Sequence, residues 1–245
     1  MSVQMRIARR SDYRTIAWKG GETTELAIFP PSSQYAARDF EWRVSSATVT
    51  SETSEFTRLP GYSRHLLVLA GELRLQSADG WETLLRPGEQ CTFQGDMPIT
   101  SYGLATDFNL MLGPGWDGGL THIVLAPGER RAWRPADTGQ HALVYCGQGQ
   151  VSIAPADSRV HNLDAGDLIE SPRILVTSVV SKRPHMLFKN CRNSLQLLVP
   201  IQTCVILYRD GRIGTSSIWA RVCLLNSVSY CMVREVSQED NNACS

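Results

Sequence analysis

Lysine, arginine and carboxylate side chains set among hydroxyls can bind a small anion or move a proton, and two short stretches of this sequence carry that combination. WKGGETTEL (Trp18–Leu26) holds Lys19, Thr23 and Glu25, and FEWRVSSATV (Phe40–Val49) holds Arg43 and Ser45. Strand parity places Arg43 and Ser45 on one face and Trp42 and Val44 on the other. Arg64, Asp96, Asp107 and Asn109 likewise stand in otherwise apolar stretches. Two readings of these residues are open. On outer strand faces they are solvated and inert. Inside a barrel each buried charge must find a partner, and converging Arg, Lys, Thr and Asn side chains would suit a small carboxylate.

Other chemistries fit the spacing poorly. A phosphate loop requires G-x-x-x-x-G-K-(S/T) between a strand and a helix, whereas here Lys19 precedes Gly20 and Gly21, and Glu22 would repel an anion. His65, His122, His141, His161 and His185 show no HxH, HxxxH or HExxH spacing, so neither a metal nor a cofactor is expected. No G-x-S-x-G elbow occurs, and Cys91, within a strand-like stretch, reads as a small buried apolar residue rather than a reactive thiol.

The elements that must position these residues read as strands. Period-two alternation and β-forming residues dominate from Phe40 onward, and helical periodicity is almost absent. An internal repeat accompanies the alternation: HLLVLAGELRL (His65–Leu75) lies over HALVYCGQGQV (His141–Val151), pairing Val68 with Val144 and Gly71 with Gly147. LLRPGEQ (Leu84–Gln90) then lies over NLDAGDL (Asn162–Leu168), pairing Gly88 with Gly166. Strand, Gly bend, strand and turn in that order roll a sheet into a small barrel, and two copies predict two barrels or a duplicated sandwich. MLGPGWDGG (Met111–Gly119) is the expected linker. The expected division is residues 1–115, 116–185 and a divergent segment 186–245. That last segment carries five of the seven cysteines and supplies either closing strands or a poorly ordered tail.

Lysine plus arginine equals aspartate plus glutamate at 24 each, so no global field steers the chain toward nucleic acid or anionic lipid. The opening residues contain no apolar core of a leader, and no run approaches the ~20 apolar residues of a membrane helix. A cytoplasmic protein with reduced thiols and no membrane or nucleic-acid partner is the expectation, with a homodimer allowed.

WKGGETTEL, FEWRVSSATV, FTRLPGYSRHLLVLAGEL, FQGD and DFNLM, in this order and spacing, closely resemble the HutD/Ves family of bacterial cytoplasmic proteins. The resemblance is strong over residues 5 to 115 and weaker to about 185. It implies an all-β bicupin, two cupin-like barrels of jelly-roll type, that senses or limits histidine utilisation by binding a breakdown intermediate, or that is linked to a stress response. Carried over by position, its motifs fall on Trp18, Lys19, Gly20, Gly21, Thr23 and Glu25, then on Trp42, Arg43 and Ser45. They continue on Phe56, Pro60, Gly61 and Arg64, and end on Gly95 with Asp96 and Asp107 with Asn109. In a metal-independent sensor Lys19, Arg43 and Arg64 would engage a small carboxylate while Thr23, Ser45 and Asn109 bind its other polar atoms. In the alternative, a cupin-type enzyme, Glu25 or Asp107 would act as general base.

Overall fold

The computed structural model describes residues 5–133, 142–155, 159–171, 177–181 and 202–208. In chain order the strands are β1 (Arg6–Ala8), β2 (Arg14–Trp18), β3 (Gly21–Phe29), β4 (Trp42–Val49), β5 (Thr53–Glu55), β6 (Ser63–Gly71) and β7 (Leu73–Ser77). There follow β8 (Glu82–Leu85), β9 (Gln90–Gln94), β10 (Ile99–Tyr102), β11 (Ala105–Leu112), β12 (Gly119–Leu125) and β13 (Arg130–Trp133). The last are β14 (Ala142–Gln148), β15 (Gln150–Pro155), β16 (His161–Asp164), β17 (Leu168–Ser171), β18 (Thr177–Ser181) and β19 (Gln202–Tyr208). The described chain is therefore all-β, and among the described residues no helix is long and apolar enough to cross a membrane.

Four sheets result. A six-stranded sheet has the order β2-β3-β4-β11-β6-β9, and a four-stranded sheet β5-β10-β7-β8 lies against it. Leu66, Val68 and Phe93 of the first meet Leu73, Leu75, Leu85 and Ile99 of the second in a shared apolar core. Later in the chain, the five-stranded sheet β1-β17-β14-β19-β12 packs on β13-β18-β15-β16 through Leu125, Val144, Cys146, Val151, Ile153, Leu163 and Ile169. The two sheet pairs join back to back. Trp42, Val44, Leu67, Phe108 and Leu110 of the six-stranded sheet bury against Leu120, Leu143, Tyr145 and Leu168 of the five-stranded one.

That arrangement explains why β11 is buried along almost its whole length. Phe108, Leu110 and Leu112 enter the core between the sheet pairs, while on the opposite face Ala105 packs with the four-stranded sheet and Met111 with Phe40, Leu59 and Tyr62. A strand covered on both faces cannot show a clean inside-outside alternation.

Two hairpins are closed alike. Gly88 N donates to Val68 O at 2.8 Å and Val68 N to Glu89 O at 3.0 Å, while Gly166 N donates to Cys146 O at 2.7 Å and Cys146 N to Asp167 O at 2.9 Å. Gly71 and Gly149 occupy the left-handed region at φ 78° and 76°, as do Gly88 and Gly166 at 87° and 93°. These bonds put Cys146, not Val144, where Val68 sits. The overlay read from the sequence is thus two residues out of step in the hairpin, because Gly149 and not Gly147 makes the turn. With that shift the two glycine pairs are equally spaced along the chain.

The chain's start is tied to its later half. β1 pairs with β17, and Arg9 Nη1 reaches the buried Asp167 carboxylate at 2.6 Å. Asp167 also accepts from the backbone N–H groups of Arg10 and Asp164, at 3.2 and 2.9 Å. At the far end β19, within 186–245, inserts between β14 and β12; the remainder of that segment lies outside the described residues.

Candidate functional site

Strand register assembles the polar residues. Across the six-stranded sheet, Glu25, Ser45, Asn109 and Leu66 stand in one cross-strand row. Ile28, Arg43, Met111, Arg64 and Phe93 form the next, and Thr23, Ala47, Asp107 and Val68 a third. These side chains share the face turned toward the four-stranded sheet. On that face Leu66, Val68 and Phe93 make an apolar half, and Glu25, Arg43, Ser45, Arg64, Asp107 and Asn109 make a polar half.

Within the polar half the contacts are direct. Arg43 Nε donates to Glu25 Oε2 at 2.7 Å and its Nη1 to Ser45 Oγ at 2.9 Å. Arg64 Nη2 donates to Asn109 Oδ1 at 2.9 Å, and Asn109 Nδ2 donates to Asp107 Oδ1 at 2.9 Å. The amide thereby relays an arginine charge to a carboxylate. Both guanidinium planes are held by rings: Arg43 Cζ lies 4.4 Å from the Tyr35 centroid, and Arg64 Cζ lies 4.7 Å from Phe56 and 5.3 Å from Phe93.

Burial sets the electrostatics. Arg43 and Arg64 are 6% and 5% exposed and Asp107 2%. Burial lowers Arg64 to about 10, with Arg43 pushing the same way and Tyr35 and Asp107 opposing. Burial raises Asp107 to about 6 against the hydrogen bond from Asn109, the charge of Arg64 and the Ala47 backbone N–H. A buried ion network of this kind seldom repays its desolvation as stability, so its presence calls for another reason. Arg64 supplies one: its Nε–H is fully buried and has no hydrogen-bond partner.

Of the residues singled out from the sequence, the structure brings together Glu25, Arg43, Ser45, Arg64, Asp107 and Asn109. Thr23 shares the Asp107 row but spends its hydroxyl on the Trp18 indole N–H, at 3.1 Å. Lys19 is exposed in the turn before Gly21, which pairs with Val49, and six residues of strand put that point about 20 Å along β4 from Arg43. The glycines of WKGG answer to close packing. A Cβ on Gly20 would lie 2.1 Å from the Trp18 ring and one on Gly21 1.9 Å from the Thr48 carbonyl oxygen. Asp96 is exposed, while Gly95 clamps the loop before β6 by accepting from Leu59 N at 2.6 Å and donating to Tyr62 O at 2.7 Å.

Tyr35 and Tyr62 escaped the sequence reading. Tyr35 sits in PPSSQYAARD, which has no periodicity to orient it, yet its ring covers Arg43. Tyr62 fastens that loop by donating its hydroxyl to the carbonyls of Arg38 and Phe40, at 2.9 and 2.8 Å.

His65 faces the other side of β6, where its Nδ1 lies 3.0 Å from Thr92 Oγ1. Burial lowers it to about 4. Among the described residues no three His, Cys, Asp or Glu side chains gather as a metal-binding group. A folded-state value below the ordinary one means the stability contributed by neutral His65 is present above about pH 6.5 and lost as pH falls toward 4. Asp107, raised, works oppositely: its contribution is lost as pH rises through about 6. His65→Gln should therefore flatten the acid-side loss of stability, and Asp107→Asn should steepen it, in urea titrations between pH 6.5 and 4.

Comparison with known proteins gives a family and a fold. The model of the HutD family matches residues 10–182. A conserved protein of unknown function from Pseudomonas aeruginosa is similar at 24% identity and TM-score 0.66, over 84% of this chain and 100% of that one. HutD from Pseudomonas fluorescens, solved in a formate condition, is similar at 22% identity and TM-score 0.59, over 85% and 100%. The oxalate decarboxylase of Lactobacillus farciminis, a formate complex, is 10% identical with TM-score 0.58, over 85% and 87%. Likenesses at this identity show a cupin-type fold.

Proposed function

The chain belongs to the HutD family, and from that premise we propose that it is a bicupin that binds a small carboxylate in its first sheet pair as part of histidine utilisation. The two sheet pairs and the matching hairpin closures support the duplicated architecture. The observation that carries the binding reading is the buried, unpartnered Nε–H of Arg64 beside a second buried arginine. Planar guanidinium groups already fixed by stacking lose little freedom when a carboxylate arrives, so the site is organised before its ligand. The formate named with two similar structures is compatible with such an anion seat. A cytoplasmic sensor of a histidine-breakdown intermediate fits the role.

Titration calorimetry against urocanate, formiminoglutamate and formylglutamate tests the reading. At least one should bind the wild-type protein, and Arg43→Met with Arg64→Met together should abolish the heat. Absence of binding by folded wild-type protein at millimolar ligand would overturn it. Burial of Asp107 favours a second reading, an enzyme in which this raised carboxylate takes a proton from the ligand. Glu25 suits that role less because it already answers Arg43. Following the same mixtures by proton NMR separates the two, since only the enzyme consumes its ligand.

A further inference from the structure

The buried cluster is neutral as it stands. Glu25 answers Arg43 at 2.7 Å, and Asp107 answers Arg64 through Asn109. A monoanion added to two arginines and two carboxylates would leave an uncompensated negative charge where desolvation makes it expensive. One resident carboxylate must give way.

The two differ in freedom. Asp107 is 2% exposed and held by the Asn109 amide. The Glu25 side chain is 33% exposed, against 7% for its partner Arg43, and it stands where the β3 register shifts between Glu25 and Ala27. Arg43 stays put when Glu25 leaves, because Ser45 accepts from it and the Tyr35 ring lies against it. Building on the carboxylate-binding reading above, we propose that Glu25 is a resident occupant of the anion seat on Arg43, displaced into solvent by the carboxylate of the ligand.

Several consequences follow from an internal competitor. Wild-type affinity is lower than two buried arginines would otherwise give, which sets the response to higher ligand concentration. Ligands with a carboxylate able to take the Glu25 place on Arg43 are accepted, and neutral isosteres are refused because they leave the arginine unanswered.

The test uses sodium formate as probe, with sodium chloride holding ionic strength constant. Glu25→Gln keeps the side chain's volume and removes its charge, and it should bind formate about ten-fold tighter or more, as expected for loss of a like-charge competitor. Glu25→Ser, which also clears the seat, should show the same direction should the first variant fold poorly. Formamide, the neutral isostere, should bind neither variant better than wild type. Wild-type binding with no gain in either folded variant would overturn the displacement and leave the carboxylate reading standing. Failure of wild type and both variants to bind formate would overturn both.

Discussion

Arg64→Met should abolish carboxylate binding at millimolar ligand and cost about 3 kcal/mol of stability near pH 7.5, with a smaller deficit near pH 5. Methionine keeps an apolar stem against Phe56 and Phe93, so the loss is chiefly electrostatic. Asn109 Oδ1 loses its donor, and Asp107 loses the cation whose charge reaches it through that amide. The pH dependence distinguishes this account from a packing defect. Asp107 is already raised to about 6 by burial while Arg64 lowers it. Without Arg64 it rises further, and a folded-state value above the unfolded one means stability is lost as pH climbs through it. Protonation near pH 5 removes the buried charge and most of the deficit. Adding Asp107→Asn to the Arg64→Met chain should restore part of the stability at pH 7.5 and remove the share of the pH dependence that Asp107 contributes, an interaction that a double-mutant cycle in urea measures directly. A deficit unchanged between pH 5 and 7.5 would count against the charge account.

The sequence made the pairing of Arg43 with Ser45 legible, because parity on a strand depends only on residue number. It could not say which face meets water. Trp42 and Val44 look like a core face, and Arg43 and Ser45 like its solvated reverse. In the structure both are buried, the first against the five-stranded sheet and the second with Arg43 under the Tyr35 ring. Alternation reports two environments; it does not report that the polar one is dry. Lys19 shows the converse limit. Its place beside Thr23 and Glu25 in WKGGETTEL suggests a common site, but a hairpin turn carries it to the far end of the strand from Arg43. The hairpin overlay slipped by two residues for a related reason. Gly147 and Gly149 both fit the pattern GQG, and only backbone geometry tells which one turns. Tyr35 was illegible because loop side chains have no period, so the ring over Arg43 depends on the tertiary path of residues 30–41.

Phe108→Ala should be among the most damaging single changes outside the polar cluster, at about 4 kcal/mol, while leaving the folded protein's formate affinity unchanged. Phe108 is fully buried in the core that joins the two sheet pairs, and its ring lies 5.2 Å from that of Tyr145 across the junction. Removing it opens a cavity between two sheets that are each stiffened by their own hydrogen bonds and cannot easily close over it. Phe108→Leu, which keeps most of the volume, should cost much less. The neighbours in sequence make the binding half of the prediction sharp. Asp107 and Asn109 point into the polar cluster and Phe108 points away from it, so one strand carries the site on one face and the junction on the other. Urea denaturation of Phe108→Ala should therefore show a large stability loss without the pH signature of Arg64→Met, and calorimetry below its unfolding midpoint should still show the ligand heat. Loss of binding by folded Phe108→Ala would mean that the cluster's geometry depends on the junction, and that the two faces of β11 are coupled.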